Sequence, residues 1–210
     1  RKAEEAAQLN NLGFVRREAG ALVAAIDDFR AALAIDETLD NDEGRAYDLR
    51  NLAIALARSG ESEQALRHLE QALTLSRKVS SRYNELQTLL AQAEVLEPLG
   101  SDDAAPRFLA ALELARTLQV REVEWRALYG LGRVKAAHGE RPGARHDFDG
   151  AMHVAEQLGR SRESEASSHT RRDLYATALR LALEDDDVAG AFGISERARA
   201  RRLLDILSSG

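Results

Sequence analysis

The chain has 210 residues, 44% hydrophobic but only 5% aromatic, so its interior must be filled by Ala and Leu, which suits closely packed helices. Lys and Arg number 29 against 35 Asp and Glu, and the net charge of -6 opposes general nucleic-acid binding, whose affinity comes mainly from neutralising phosphates. The absence of cysteine excludes disulfides, thiolate metal sites and a cysteine nucleophile, and no apolar run approaches the ~20 residues needed to span a bilayer. With no signal peptide visible, a cytoplasmic location and no membrane partner are expected. The chain opens at Arg1 without Met and stops at Ser208-Ser209-Gly210 straight after an apolar helix, so both ends read as cuts through a longer protein.

The first predicted helix covers 3–18, with Leu9, Leu12 and Val15 as its apolar stripe. Gly20 closes it, and a second helix over about 21–37 carries Leu22, Ile26, Phe29, Leu33 and Ile35. Gly13, Ala25 and Ala32 are small enough for the two backbones to approach closely. Adding forty to Leu9, Leu12, Gly13, Gly20, Ala25, Phe29, Ala32 and Leu33 gives Leu49, Leu52, Ala53, Gly60, Ala65, Leu69, Ala72 and Leu73, so the chain repeats. Asp40-Asn41-Asp42-Glu43-Gly44 starts the second pair, 43–58 and 61–78, with side chains suited to a helix N-terminus.

The third pair is about 82–98 and 102–118. Ser101, Asp102 and Asp103 offer caps, Pro106 is tolerable in a first turn, and Pro98 should distort the end of the preceding helix. Trp125, Leu128, Leu131, Gly132, Gly139, Ala144, Phe148, Ala151 and Met152 mark the fourth pair, with Pro142 at the start of its second helix and Gly159 at its end. A polar stretch, Ser161 to Thr170, leads into a last pair at about 164–184 and 187–207, where Asp185-Asp186-Asp187 replaces the glycine turn. The fold expected is all-α: a right-handed superhelical solenoid of about five antiparallel helix pairs, one array over 1–210 with repeats at about 3–38, 43–79, 82–119, 122–159 and 164–207.

Two helices per unit, with Leu-Gly in the first and Ala, Phe, Ala in the second, resemble the tetratricopeptide repeat; Leu9, Leu12, Gly13, Ala25, Phe29, Ala32 and Leu128, Leu131, Gly132, Ala144, Phe148, Ala151 match it best. The spacing of about 40 is similar to the longer variety found in kinesin light chain and bacterial signalling proteins. There an Asn before the Leu-Gly or Leu-Ala pair often clamps a bound peptide backbone. Asn11 and Asn51 match that place, while Ala91 and Gly130 do not. On this reading Asn51→Ala would leave stability nearly unchanged. The last helix, Ser195 to Leu207, resembles the helix that joins such repeats to a caspase-like CHAT protease domain, which implies a bacterial parent protein whose repeats sense a partner and control a protease.

The resemblance implies a concave groove lined by the first helix of each pair: Asn10, Phe14 and Arg17; Tyr47, Arg50, Asn51, Ile54 and Arg58; Leu90, Glu94 and Glu97; Arg126, Tyr129 and Arg133; and Arg180. Flat rings and guanidinium forks in that mix favour recognition. The alternative leaves these as solvated helix faces, with Phe14 and Tyr129 in the core. Arg197, Arg199, Arg201 and Arg202 are expected to pair with Asp185 to Asp187. His68, His138, His146, His153 and His169 show no metal spacing, and Ser167-Ser168-His169 is a polar helix start without a triad's orienting Asp. The function expected is therefore a scaffold that binds a peptide or protein partner, with no enzymatic activity and no cofactor, in the sensing part of a repeat–CHAT protease. The alternative is a ligand- or peptide-sensing domain of a bacterial transcription regulator.

Overall fold

The computed structural model describes the backbone of residues 1–158 and 165–207 and the side chains of 1–158 and 170–200. Gly159, residues 161–164 and the side chains of Ser167, Ser168, His169, Arg201 and Arg202 therefore lie outside the described residues. The described residues form ten α-helices and no strand: α1 (Lys2–Glu18), α2 (Leu22–Thr38), α3 (Asp42–Arg58), α4 (Ser62–Lys78), α5 (Arg82–Leu96), α6 (Ala104–Leu118), α7 (Arg121–Ala137), α8 (Arg141–Gln157), α9 (Glu165–Glu184) and α10 (Val188–Leu207). The all-α repeat architecture expected from the sequence is the one observed.

Local chemistry places the breaks. Gly20, Gly60, Gly100 and Gly139 have φ of 80°, 93°, 66° and 77°, a left-handed conformation that costs a residue without Cβ least. Asp40, Ser80 and Gln119 adopt it between pairs, and Asp186 does so between α9 and α10, where the triple Asp replaces glycine. Asn41 caps α3 by accepting from the Gly44 N–H at 3.2 Å, with Asp42 and Glu43 in the first turn. Pro98 ends α5 in a 3₁₀ turn, Glu97–Leu99, and Pro142 sits at the start of α8, both as the sequence predicts.

The chain forms two compact units, Arg1–Leu114 and Ala115–Gly210. In the first, α1 packs on α2, α3 on α4, and α2 and α4 each pack on the next pair. In the second, α7 packs on α8 and α9 on α10, with α8 against α9. One packing motif recurs. The second helix of a pair buries a small–large–small triplet: Ala25/Phe29/Ala32, Ala65/Leu69/Ala72, Ala104/Phe108/Ala111 and Ala144/Phe148/Ala151, none more than 1% exposed. The first helix answers with Gly13, where a Cβ would sit 2.8 Å from the Phe29 ring, and with Gly132, where it would run into Phe148. Ala53 faces the smaller Leu69 in the same core cluster.

One expectation fails. Leu12 and Val15 are 42% and 62% exposed, and the buried line of α1 is Ala6, Asn10, Gly13 and Arg17. The equivalent Leu49, Leu52 and Ala55 of α3 are buried, because α2 packs on α3; among the described residues no helix covers that side of α1.

Phe148→Ala should destabilise the protein by ~3–5 kcal/mol through lost burial and the cavity left behind, as read by chemical denaturation. Gly132→Ala should also be destabilising, because the ring has no room to yield. A cost below about 1 kcal/mol for Phe148→Ala would mean that this ring is not core.

Candidate functional site

In the first unit, the first helices of successive pairs present a run of stacked cations. The Arg17 guanidinium lies 4.9 Å from the Phe14 ring centroid and the Arg50 guanidinium 4.7 Å from that of Tyr47. The rings are 43% and 42% exposed, while both arginines are only 7% exposed. The aromatic is thus the outer layer and the charge the inner one. Burial pulls both guanidiniums below their ordinary range, with the Glu18 carboxylate opposing the shift at Arg17 and Tyr47 opposing it at Arg50. Arg17 Nε donates to Glu18 at 3.2 Å, a carboxylate shared with Arg58 at 3.1 Å, and Arg17 Nη1 is buried without a hydrogen-bond acceptor. Arg50 donates to the Asn84 side chain at 3.2 Å and has no carboxylate partner among the described residues. Tyr83, 55% exposed, is the further aromatic acting on Arg50.

Beside Tyr47 lies the opposite charge. Asn10 donates to Asp48 and accepts from the Asn51 amide at 2.7 Å. Asp36, from the last turn of α2, accepts from Asn41 at 3.0 Å. Asp36 is 5% and Asp48 2% exposed, and no basic side chain pairs with either among the described residues. Burial, then the neighbouring Asp36 charge, pushes the Asp48 carboxyl up to about 8, against the Asn10 hydrogen bond. These groups line a pocket of about 230 Å³ with Tyr47, Asn11 and three small α1 residues, Ala3, Ala6 and Ala7.

In the second unit, Tyr129, Arg133 and Arg180 come together with Asp173 and Thr177 around an open pocket of about 570 Å³. Arg133 stacks 4.7 Å from the Tyr129 centroid, and the Tyr129 hydroxyl is 3.2 Å from Thr177 Oγ1. Tyr129 is 4% exposed and tilted against Phe148, so it belongs to the core as well as to the pocket wall.

The remaining expectations divide. Ile54, Glu94 and Arg126 are half-buried, Arg58 and Arg180 exposed, and Leu90 buried. Asn51 is 5% exposed and engaged with Asn10, whereas Asn11, forty residues earlier, is exposed. An interior position differs because a preceding pair covers it. Arg197 does not pair with the triple Asp. It reaches Glu156 at 2.8 Å and Asp149 at 2.6 Å on α8, and it is Arg141 and Arg145 of α8 that hold Asp185 and Asp187. The cause is the packing of α9 on α8, which brings the α9–α10 turn to the start of α8. Arg199 pairs with Glu196 at 2.8 Å. Sequence reasoning missed Asp36, Asp48, Tyr83 and Asn84. The legible signal was two Asp residues at places where the next repeat carries Ser76 and Thr88.

Asn51→Ala should cost about 1–3 kcal/mol, contrary to the near-neutral effect expected from sequence, because it strips the buried Asn10 carbonyl of its donor. Asp48 binds a proton in the folded state that the unfolded chain, near the ordinary 3.8, has released. Its stabilising contribution is full below the unfolded value and is lost as pH rises through about 8. Urea unfolding should therefore show Asp48→Asn gaining on the wild type between about pH 4 and pH 8 and holding level above that; a constant difference across that range would contradict the shift.

Residues 4–78 match the family model of the tetratricopeptide repeat. No curated protein matches the chain. Solved structures with similar folds include a Rap protein complexed with competence and sporulation factor (18% identity, 92% of this chain and 52% of that one, TM-score 0.76). BtubC from P. vanneervenii is also similar (17% identity, 100% and 83%, TM-score 0.78), as is a Podosopora anserina kinesin light chain with nearly identical TPR-like repeats (17%, 95% and 95%, TM-score 0.71). The chain spans about half the length of the Rap protein. At these identities the likeness establishes the fold: this chain is built of tetratricopeptide-like helix pairs.

Proposed function

We propose that the chain is a non-catalytic recognition domain that binds a peptide or protein partner across α1, α3 and α5, acting in the cytoplasm of a bacterium as the sensing part of a larger protein. The observation that carries this reading is Arg50. It is buried, stacked on a half-exposed tyrosine and lacks a carboxylate, so the fold bears the desolvation of a cation that nothing among the described residues neutralises. A carboxylate or backbone carbonyl from a partner would offset that cost, and such charge-assisted bonds in a partly dry site are strong. Arg17 repeats the buried ring stack over Phe14, though with the Glu18 carboxylate beside it, and Tyr129 with Arg133 and Arg180 provides a second arginine-and-tyrosine surface in the other unit. The complex formed by the similar Rap protein is consistent with this class of role. The sequence of α10 supports a repeat–CHAT protease as the parent protein, with a transcription regulator as the alternative setting.

Selection of a displayed random-peptide library on the immobilised protein tests the reading. Enriched peptides should bind Tyr47→Ala and Arg50→Met variants at least about tenfold more weakly, ~1.4 kcal/mol, with helix content unchanged. Peptides that bind these variants as well as the wild type would overturn it.

A further inference from the structure

The junction between the first and second repeats contains something the later junctions do not. The places held by Asp36 and Asp48 are occupied one repeat later by Ser76 and Thr88, and one repeat after that by Ala115 and Ala127. All four replacements are no more than 1% exposed. The two hydroxyls are satisfied locally, Ser76 by the Ala72 carbonyl and Thr88 by the Asn84 carbonyl, each at 2.7 Å. The fold thus accepts hydroxyls or plain alanines at this crossing, and the two carboxyls are not a packing requirement.

They are also poorly served where they stand. Asp36 lies in the last turn of α2, where the helix dipole disfavours an anion, and that turn holds no basic residue. Asp48 Oδ2 is buried and has no hydrogen-bond partner, although Asp48 lines the pocket. The nearby cations are committed elsewhere: Lys78 lies 2.5 Å and Arg45 2.8 Å from Asp42. Gly44 leaves the opening that Asp36 occupies, since a Cβ there would collide with that carboxylate. The pocket's roughly 230 Å³ holds several waters' worth of space at ~30 Å³ each, enough for a charged head and its last methylenes.

We propose that this pocket takes the ammonium or guanidinium head of a basic side chain on the partner, which enters between Asp36 and Asp48. In the empty pocket burial and the neighbouring Asp36 charge hold the Asp48 carboxyl protonated near neutral pH. The groups that face Asp48 are Asp36 from α2, Asn10 from α1, and Asn41 and Tyr47 beside the pocket. The arriving cation displaces the Asp48 proton, which leaves to solvent, and the carboxylate so formed pairs with the cation. Among the described residues no three His, Cys, Asp or Glu side chains converge as a metal site, which favours an organic cation over a metal ion. Tyr47 stands at the border between this pocket and Arg50, so the segment recognised carries an acceptor for Arg50 on one side of the ring and a cation on the other. That the cation arrives on a peptide rests on the recognition reading above; the pocket's preference for a cation does not.

The test uses free cations as probes. Carbon NMR of the labelled protein follows the Asp48 carboxyl through a pH titration in methylguanidinium chloride, in butylammonium chloride and in potassium chloride at equal ionic strength. The midpoint should fall by at least about one unit, a tenfold effect, in one or both organic salts, and the larger shift identifies the preferred head group. The Asp36→Ser, Asp48→Thr double variant copies the next repeat and should keep its helix content while losing the methylguanidinium-induced changes at the Gly44 amide. The same midpoint in all three salts, or equal changes in the double variant, would overturn the proposal. Because no peptide is involved, this outcome is independent of whether the Arg50 face captures one.

Discussion

The pairing of helices in this chain depends on the close meeting of a large side chain and a small residue, in two pairs a ring against glycine. Phe29 against Gly13 and Phe148 against Gly132 bring the two helices of a pair nearer than a Cβ would allow. The flanking alanines, Ala25 and Ala32 or Ala144 and Ala151, let the neighbouring backbone settle against the same stripe. Dense packing leaves no slack to absorb an error, so the pair has one geometry. Each pair exposes an apolar side that only the next pair can cover, and stability accumulates by neighbours, without a single central core.

That geometry determines what the first helices can present. With Gly or Ala turned to the partner helix, the adjacent positions on α1, α3 and α7 are left for longer side chains. Three of them carry an arginine stacked on an aromatic: Arg17 on Phe14, Arg50 on Tyr47 and Arg133 on Tyr129. Such stacks contribute ~0.5–1 kcal/mol where exposed and more where dry. They also hold the guanidinium in one orientation, so little rotamer freedom remains to be lost when a partner binds. In the first unit the stacked arginines and the Asp36–Asp48 pair lie on either side of Tyr47, two buried charges of opposite sign that do not reach each other. A fold selected for stability alone would place alanine there, as its own later repeats do at Ala115 and Ala127.

The periodicity carried most of the fold into the sequence. The forty-residue offset, the turn glycines and the Ala–Phe–Ala triplets gave helix limits within about two residues. The failures have physical causes. Leu12 and Val15 share the pattern of Leu52 and Ala55, yet exposure depends on which side of a helix is packed against another, which local pattern does not encode. Arg197 is expected from the sequence to pair with the triple Asp, but in the fold it reaches Asp149 and Glu156 of α8 instead. In the site, Phe14, Arg17, Tyr47, Arg50, Tyr129 and Arg133 were legible as rings and guanidiniums on the first helices, though not as stacked pairs. Asp36 and Asp48 were not, because their pairing joins the end of one helix to the middle of the next, and only the three-dimensional crossing shows that both are buried.

Backbone hydrogen exchange with and without a bound peptide bears most directly on the account as a whole. If the partner seats on the first helices, binding should slow exchange in α1, α3 and α5, most strongly around Tyr47, Arg50 and Asn84, and leave α2 and α4 nearly unchanged. Protection confined to α2 and α4 would place the partner on the opposite face and would contradict the role assigned to the stacked arginines.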